Sequence, residues 1–201
     1  AKKLAVVGHA QYDNIYRSNQ NHKQIICDLN QKYGFANNKQ LVILSLPQHS
    51  EQGYLEWDIH IQQIRQLLSQ MVMVDCNFLI SLHPRQDRLN YNFILDEYGF
   101  NLAGEQLSDI IGAADLFIAS NSTTSIWACL CGISGINLSG PIDDLYEHLS
   151  SVVYLDNLNL LSDVVTKSLH EPPLDYTNDW KILSKDKVFD GRFNSRFQML
   201  L

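Results

Sequence analysis

Six small polar residues in succession, Ser120, Asn121, Ser122, Thr123, Thr124 and Ser125, separate an apolar run at 116–119 from a second one that begins at Ile126 and Trp127. At a helix start one side-chain cap satisfies one orphan backbone N–H. Six hydroxyl and amide side chains exceed that need. With the unpaired N–H groups and the positive end of the helix dipole, they make a seat for an anion such as a phosphate. The plainer alternative is a polar linker that holds a single cap.

Three further seams carry residue types that can do chemistry. In I-S-L-H-P-R-Q-D, His83 closes an apolar run and Pro84 stands where a helix would begin, at its favourable first position. A histidine fixed there can donate to a phosphate or a base carbonyl, with Arg85 beside it as a cation. In L-P-Q-H-S-E-Q-G, His49 and Glu51 give acid/base capacity to a loop between Pro47 and Gly53, unless Ser50 simply caps a helix. In V-V-G-H-A-Q-Y-D, Gly8 is a single glycine, so the G-x-G-x-x-G dinucleotide fingerprint is absent. A turn glycine and a helix-capping Asp13 explain that stretch equally well. Asp143 and Asp144, in P-I-D-D, follow the last main strand and either touch ribose hydroxyls or cap a turn.

Other chemistries find little support. Gly132-Ile133-Ser134-Gly135-Ile136 misses the final glycine of the hydrolase elbow. No His, Asp or Glu spacing reads as a metal site, so no metal and no cofactor is expected. The four cysteines, 27, 76, 129 and 131, sit in apolar surroundings; on a helix Cys129 and Cys131 would point about 200° apart. They read as buried thiols of a reducing compartment.

Elements that would position these seams recur along the chain. Strands are expected at residues 4–8, 41–46, 78–82, 100–102, 116–119, 136–138 and 152–155. Helices are expected at 25–33, 54–73, 89–98, 107–113, 122–131 and 158–169. Continuous apolar strands alternating with helices predict an α/β fold, a doubly wound Rossmann-like parallel sheet of about six strands. In such sheets ligands bind at the carboxyl ends of the strands, where the four polar seams fall. Residues 1–170 read as that nucleotide-binding domain. Residues 171–201 read as a C-terminal extension that packs on the domain or on a partner half.

The chain has 201 residues, 45% hydrophobic and 18% charged, with a net charge of −7 and only fifteen scattered Lys and Arg. That balance argues against nucleic acid or an anionic membrane as main partner, since both require a basic face. No stretch is long and apolar enough to span a bilayer. A cytoplasmic location is expected, with attachment to the inner membrane only through the rest of the protein.

In combination, G-H-A-Q-Y-D, S-L-P-Q-H-S-E-Q-G, S-L-H-P-R and D-I-I-G-A-A-D-L-F-I-A-S-N-S-T-T-S-I-W-A resemble the C-terminal half of GT-B-type proteins. The similarity runs over roughly residues 4–169, toward UDP-N-acetylglucosamine 2-epimerase-like proteins and bacterial capsule, polysialic acid and teichoic acid transferases. The resemblance implies that His83 and Pro84, with Ser120, Ser122, Thr123 and Thr124, hold a nucleotide and its phosphates. It also implies a nucleotide-sugar or CDP-polyol donor and an N-terminal acceptor domain outside this chain. His49 to Gly53 is similar to the epimerases' H-R-x-E-N-x-G segment but lacks its basic residue, and the glycine pair and glutamates that follow the epimerase helix start are missing. Sugar transfer is therefore expected ahead of epimerisation. A non-catalytic nucleotide- or partner-binding module is the reading from another class.

Overall fold

Leu41–Ser45 (β1) is buried at every position but the last, the pattern of a strand covered on both faces. The computed structural model, which describes residues 8–120, 122–139, 149–171 and 189–199, places β1 in the middle of a sheet. Asn77–Ser81 (β2) and Leu116–Ser120 (β4) flank it, in parallel, with Leu44 opposite both Ile80 and Ile118. Asn101–Leu102 (β3) pairs outside β2, and Ser134–Leu138 (β5) and Val152–Leu155 (β6) extend the other side. The order is β3-β2-β1-β4-β5-β6 with all strands parallel, so the expected doubly wound α/β sheet is the fold.

Alternate side chains of each strand feed two cores. On one face Val42, Leu44, Ile80 and Ile118 meet Trp57–Met71 (α3), Phe93–Tyr98 (α4) and Leu161–His170 (α7). Ile64, Leu67, Leu68 and Met71 form the inward stripe of α3, and all four are buried. Burying each stabilises by up to about 1.5–3 kcal/mol, which decides where this otherwise polar helix lies. On the other face Leu41, Ile43, Leu79 and Phe117 meet Ala10–Gln20 (α1), His22–Tyr33 (α2), Leu107–Ile110 (α5) and Thr124–Leu130 (α6).

Helix α1 does not announce itself in the sequence, because Ile15 is its only fully buried apolar residue. Close backbone approach holds it instead. A Cβ on Gly112 would lie 2.5 Å from the Asn19 nitrogen, and the Gly112 N–H donates to Ser18 Oγ at 2.9 Å. Asp13 does not cap its own helix. His9 does that, accepting from the Gln11 N–H at 3.2 Å, while Asp13 accepts from the Phe193 N–H at 3.0 Å. Phe193 is the first residue of Phe193–Gln198 (α8), so the described part of the C-terminal extension is fastened to α1.

Two boundaries move for local reasons. Pro84 does not start a helix: residues 84–85 form a turn, and Asp87 caps a 3-10 turn at Arg88–Tyr91 by accepting from the Leu89 N–H at 3.0 Å. The free carboxylate cap prevails over the proline. The helix expected at 89–98 is thereby split, its second part α4 ending at Gly99 with φ 72°. Residues 4–7 of the expected first strand lie outside the described residues.

Candidate functional site

Between β1 and β4 the chain's winding reverses, one half continuing to β2 and the other to β5. At such a switch point the loops leaving two adjacent strands part in opposite directions and open a crevice. A cavity of about 620 Å³ lies there, within the usual range for small-molecule sites. Its wall is built from the ends of β1 (Pro47 to His49), β2 (Leu82 to Pro84), β3 (Gly104 to Ser108) and β4 (Ser120 and Ser122 to Thr124), with Gln11 from α1.

His49 is 8% exposed and its Nε2 lies 3.3 Å from Ser120 Oγ. Its loop is wound tightly around it, the His49 carbonyl accepting from the Tyr54 N–H at 2.8 Å. Nδ1 is buried and closes no hydrogen bond, although Gln63 lies near enough to oppose part of the titration shift. Burial, and then the neighbouring His60, push the His49 pKa below the ordinary imidazole value, so the ring is neutral at pH 7.

His83 is half-open to the cavity, and its pKa is lowered by burial and then by Arg85. Its tautomer follows from one contact. The Arg85 N–H donates to Nδ1 at 3.1 Å, so Nδ1 carries a lone pair and the neutral ring has its proton on Nε2. His83 therefore offers one N–H donor.

The hydroxyl cluster is arranged differently from a row of caps. Helix α6 begins at Thr124, two residues later than expected, and Thr123 at its start makes no side-chain capping bond. Ser122 Oγ accepts from the Thr124 N–H at 3.3 Å and shares a hydrogen bond with Thr124 Oγ1 at 2.8 Å. Ser120, Ser122, Thr123 and Thr124 all line the cavity.

His49, His83, Pro84 and these four hydroxyl residues thus line one cavity. Arg85 is exposed and outside the wall; Gly8, half-buried at φ 85° ahead of α1, is outside it too. Asp143, Asp144 and Asn121 lie outside the described residues.

Glu51 faces away from the cavity, into a buried cluster. Tyr91 OH donates to its Oε1, and Oε2 lies 3.8 Å from His60 Nε2. Tyr91 and His60 are both 0% exposed. Because the single Tyr91 proton goes to Glu51, its oxygen must accept from His60 Nε2 at 3.1 Å and from Gln86 Nε2 at 3.1 Å. Burial and the hydrogen bond to Glu51 push the Tyr91 pKa far up, and burial lowers that of His60.

Glu105 belongs to the wall and is absent from the sequence-derived set, as are Gln11, Gln106 and Ser108. Burial works against its ionisation, yet hydrogen bonds from Lys32 and Tyr33 hold its pKa below the usual carboxylate value. The signal that could have found it is the junction between the 100–102 strand and the 107–113 helix. Among the described residues the wall holds no Lys or Arg, and no group of three His, Cys, Asp or Glu could hold a metal. No helix among the described residues is long and apolar enough to cross a membrane.

No protein family and no curated protein matches the sequence. Solved structures do resemble it. A structure of the wall teichoic acid polymerase TagF soaked with CDPG superposes with a TM-score of 0.63 at 11% identity, over 98% of this chain and 49% of that one. TagF in another structure gives 0.62 at 12% identity, over 94% and 48%. The spinosyn forosaminyltransferase SpnP gives 0.52 at 12% identity, over 85% and 45%. This chain thus spans about half the length of the structures it resembles. At such identities the likeness is one of fold: a parallel, Rossmann-like α/β sheet that the teichoic acid polymerase and forosaminyltransferase structures share with this chain.

Proposed function

We propose that this chain is the donor-binding domain of a glycosyltransferase for bacterial surface polysaccharide, and that the cavity seats the phosphates of a nucleotide-activated sugar or polyol. The observation that supports this best is convergence. His49, His83 and the hydroxyls of Ser120, Ser122, Thr123 and Thr124 reach one cavity from three different strand ends. Hydroxyl and imidazole N–H donors fixed before the ligand arrives stabilise the charge that grows on a departing phosphate. His83 Nε2–H and the Thr123 hydroxyl are the donors we assign to it, and Glu105, held ionised, accepts from a sugar or ribose hydroxyl.

Of the two acid/base candidates, His49 lines the cavity, whereas the Glu51 carboxylate is engaged by Tyr91. Glu51 therefore acts through the loop it holds. A UDP-sugar 2-epimerase needs acid/base groups on the substrate itself, and this placement weighs against that reading. We assign the acceptor side of the reaction to a domain outside this chain, so the chain alone should bind donor without turnover.

Melting curves with CMP, CDP, UDP and GDP test the reading. A ligand at 100 times its dissociation constant adds about 2.7 kcal/mol to stability. At least one nucleoside diphosphate should raise the melting temperature while the bare nucleosides do not. No shift with any of them at millimolar concentration would remove the proposal.

A further inference from the structure

Gln86 is not part of the cavity wall, yet it touches the backbone behind two of the wall's loops. Its side chain is 7% exposed and has all three of its strong bonds placed. Oε1 accepts from the His83 N–H at 2.8 Å. Nε2 donates one hydrogen to the Pro47 carbonyl at 2.9 Å and the other to Tyr91 OH at 3.1 Å. Pro47 lies two residues before His49, so a single amide joins the loop after β1 to the loop after β2. Reversing the amide would set oxygen against the Pro47 carbonyl and N–H against the His83 N–H, so only one orientation works. Tyr91 is itself fixed by Glu51 and His60, which leaves the amide no room to turn.

We infer that Gln86 is a positioning residue that sets the separation of the His49 and His83 loops, and so holds the His83 Nε2–H donor in register with the rest of the phosphate seat, across the cavity that both loops line. The inference rests on the nucleotide-binding reading above for its ligand, but its mechanical part does not. A displaced donor is costly at the 1 Å scale, because a hydrogen bond weakens within a few tenths of an ångström beyond about 3.2 Å. Nothing in the sequence marks Gln86, since its role depends on a proline carbonyl 39 residues away.

Two variants separate positioning from bulk. Gln86→Met keeps the volume and removes every polar contact. Gln86→Glu keeps the shape and the acceptor for His83 N–H, but donates to Pro47 only when its carboxyl is protonated. The titratable groups around this position are His83, Tyr91, Glu51 and His60, so affinities are compared with the parent protein at each pH. At pH 8 both variants should bind a nucleoside diphosphate about tenfold more weakly than the parent, with little change for the bare nucleoside. At pH 5.5 the Gln86→Glu deficit should shrink and the Gln86→Met deficit should persist. Parent-like affinity in both variants, or equal deficits at both pH values, would overturn the inference.

Hydrogen exchange at the His83 amide decides the matter even if the parent binds no nucleotide and the functional reading fails. Protection in the parent and in Gln86→Glu, lost in Gln86→Met, supports the tie; the same protection in all three overturns it.

Discussion

The two flanks of β1 are built on opposite plans at their carboxyl ends. Toward β2 and β3 every seam is tied by a long polar side chain. Gln86 joins Pro47 to His83, Arg88 donates to the carbonyls of Leu102 and Ala103 at 2.9 Å, and Lys32 and Tyr33 hold Glu105. Toward β4, among the described residues, the crevice is spanned by the 3.3 Å contact of His49 with Ser120, and Ser122 and Thr124 share a hydrogen bond with each other. Satisfied polar networks in a low dielectric are rigid, and unsatisfied ones attract partners. On the proposed reading the contrast separates scaffold from site: Glu51, engaged by Tyr91, supports its loop, and Ser120 and Thr123, which line the cavity, are the groups that would receive the ligand.

The largest expected effect comes from breaking the tied flank. Tyr91→Phe leaves a Glu51 oxygen, a Gln86 N–H and the His60 N–H without partners, at about 1–3 kcal/mol for each group left buried. Urea denaturation should show a loss of about 3 kcal/mol or more. A loss under about 1 kcal/mol would mean the cluster does not brace the loop. Ser120→Ala, the counterpart on the open flank, should change stability by less than about 0.5–1 kcal/mol.

His83→Ala comes next and reverses the pattern. Nucleoside diphosphate binding should weaken by about 1–3 kcal/mol in titration calorimetry, while the fold stays intact because the loop is held through the His83 backbone. Equal affinity in mutant and parent would make the imidazole a structural element.

Replacing Ser122 and Thr123 together by Ala should cost about 1–2 kcal/mol of diphosphate affinity and far less for the nucleoside. Stability should fall by no more than about 1 kcal/mol, since only Ser122 bonds a helix N–H and Thr123 caps nothing. A large drop in melting temperature with normal binding would move the cluster to the scaffold side.

The mildest effect is an acid one. His49, His60 and His83 all have pKa values lowered from 6.5 by burial. The unfolded chain therefore takes up more protons than the folded one below about pH 6.5, and stability present above that pH is lost as pH falls. His60→Gln should flatten part of this loss in melting curves taken from pH 8 to pH 5. An unchanged slope would place the acid sensitivity elsewhere.

Much of this was legible beforehand, and the rest has physical reasons for being hidden. The apolar runs that became β1, β2 and β4 are short, continuous and rich in Leu, Ile and Phe, so their burial fixes them almost alone. The same alternation placed His49, His83, Ser120 and Ser122 to Thr124 at one sheet edge. Helix α1 escaped because packing at Gly112 rather than an apolar stripe holds it. Gln86, His60 and Tyr91 escaped because the bonds that define their roles reach 31 to 40 positions along the chain, which no local pattern records. Glu51 could be seen as chemically capable, but the direction it faces is set by Tyr91, 40 residues on.

The claim that the open flank is the nucleotide-phosphate site is tested most directly by backbone amide spectra of the labelled chain titrated with CDP, UDP and GDP beside their nucleosides. The account predicts saturable shifts, caused by at least one diphosphate, at His49, His83 and Ser122 to Thr124, with the nucleosides leaving Ser122 to Thr124 unmoved. Saturable shifts confined to other surfaces, or none in these loops with any diphosphate, would contradict it.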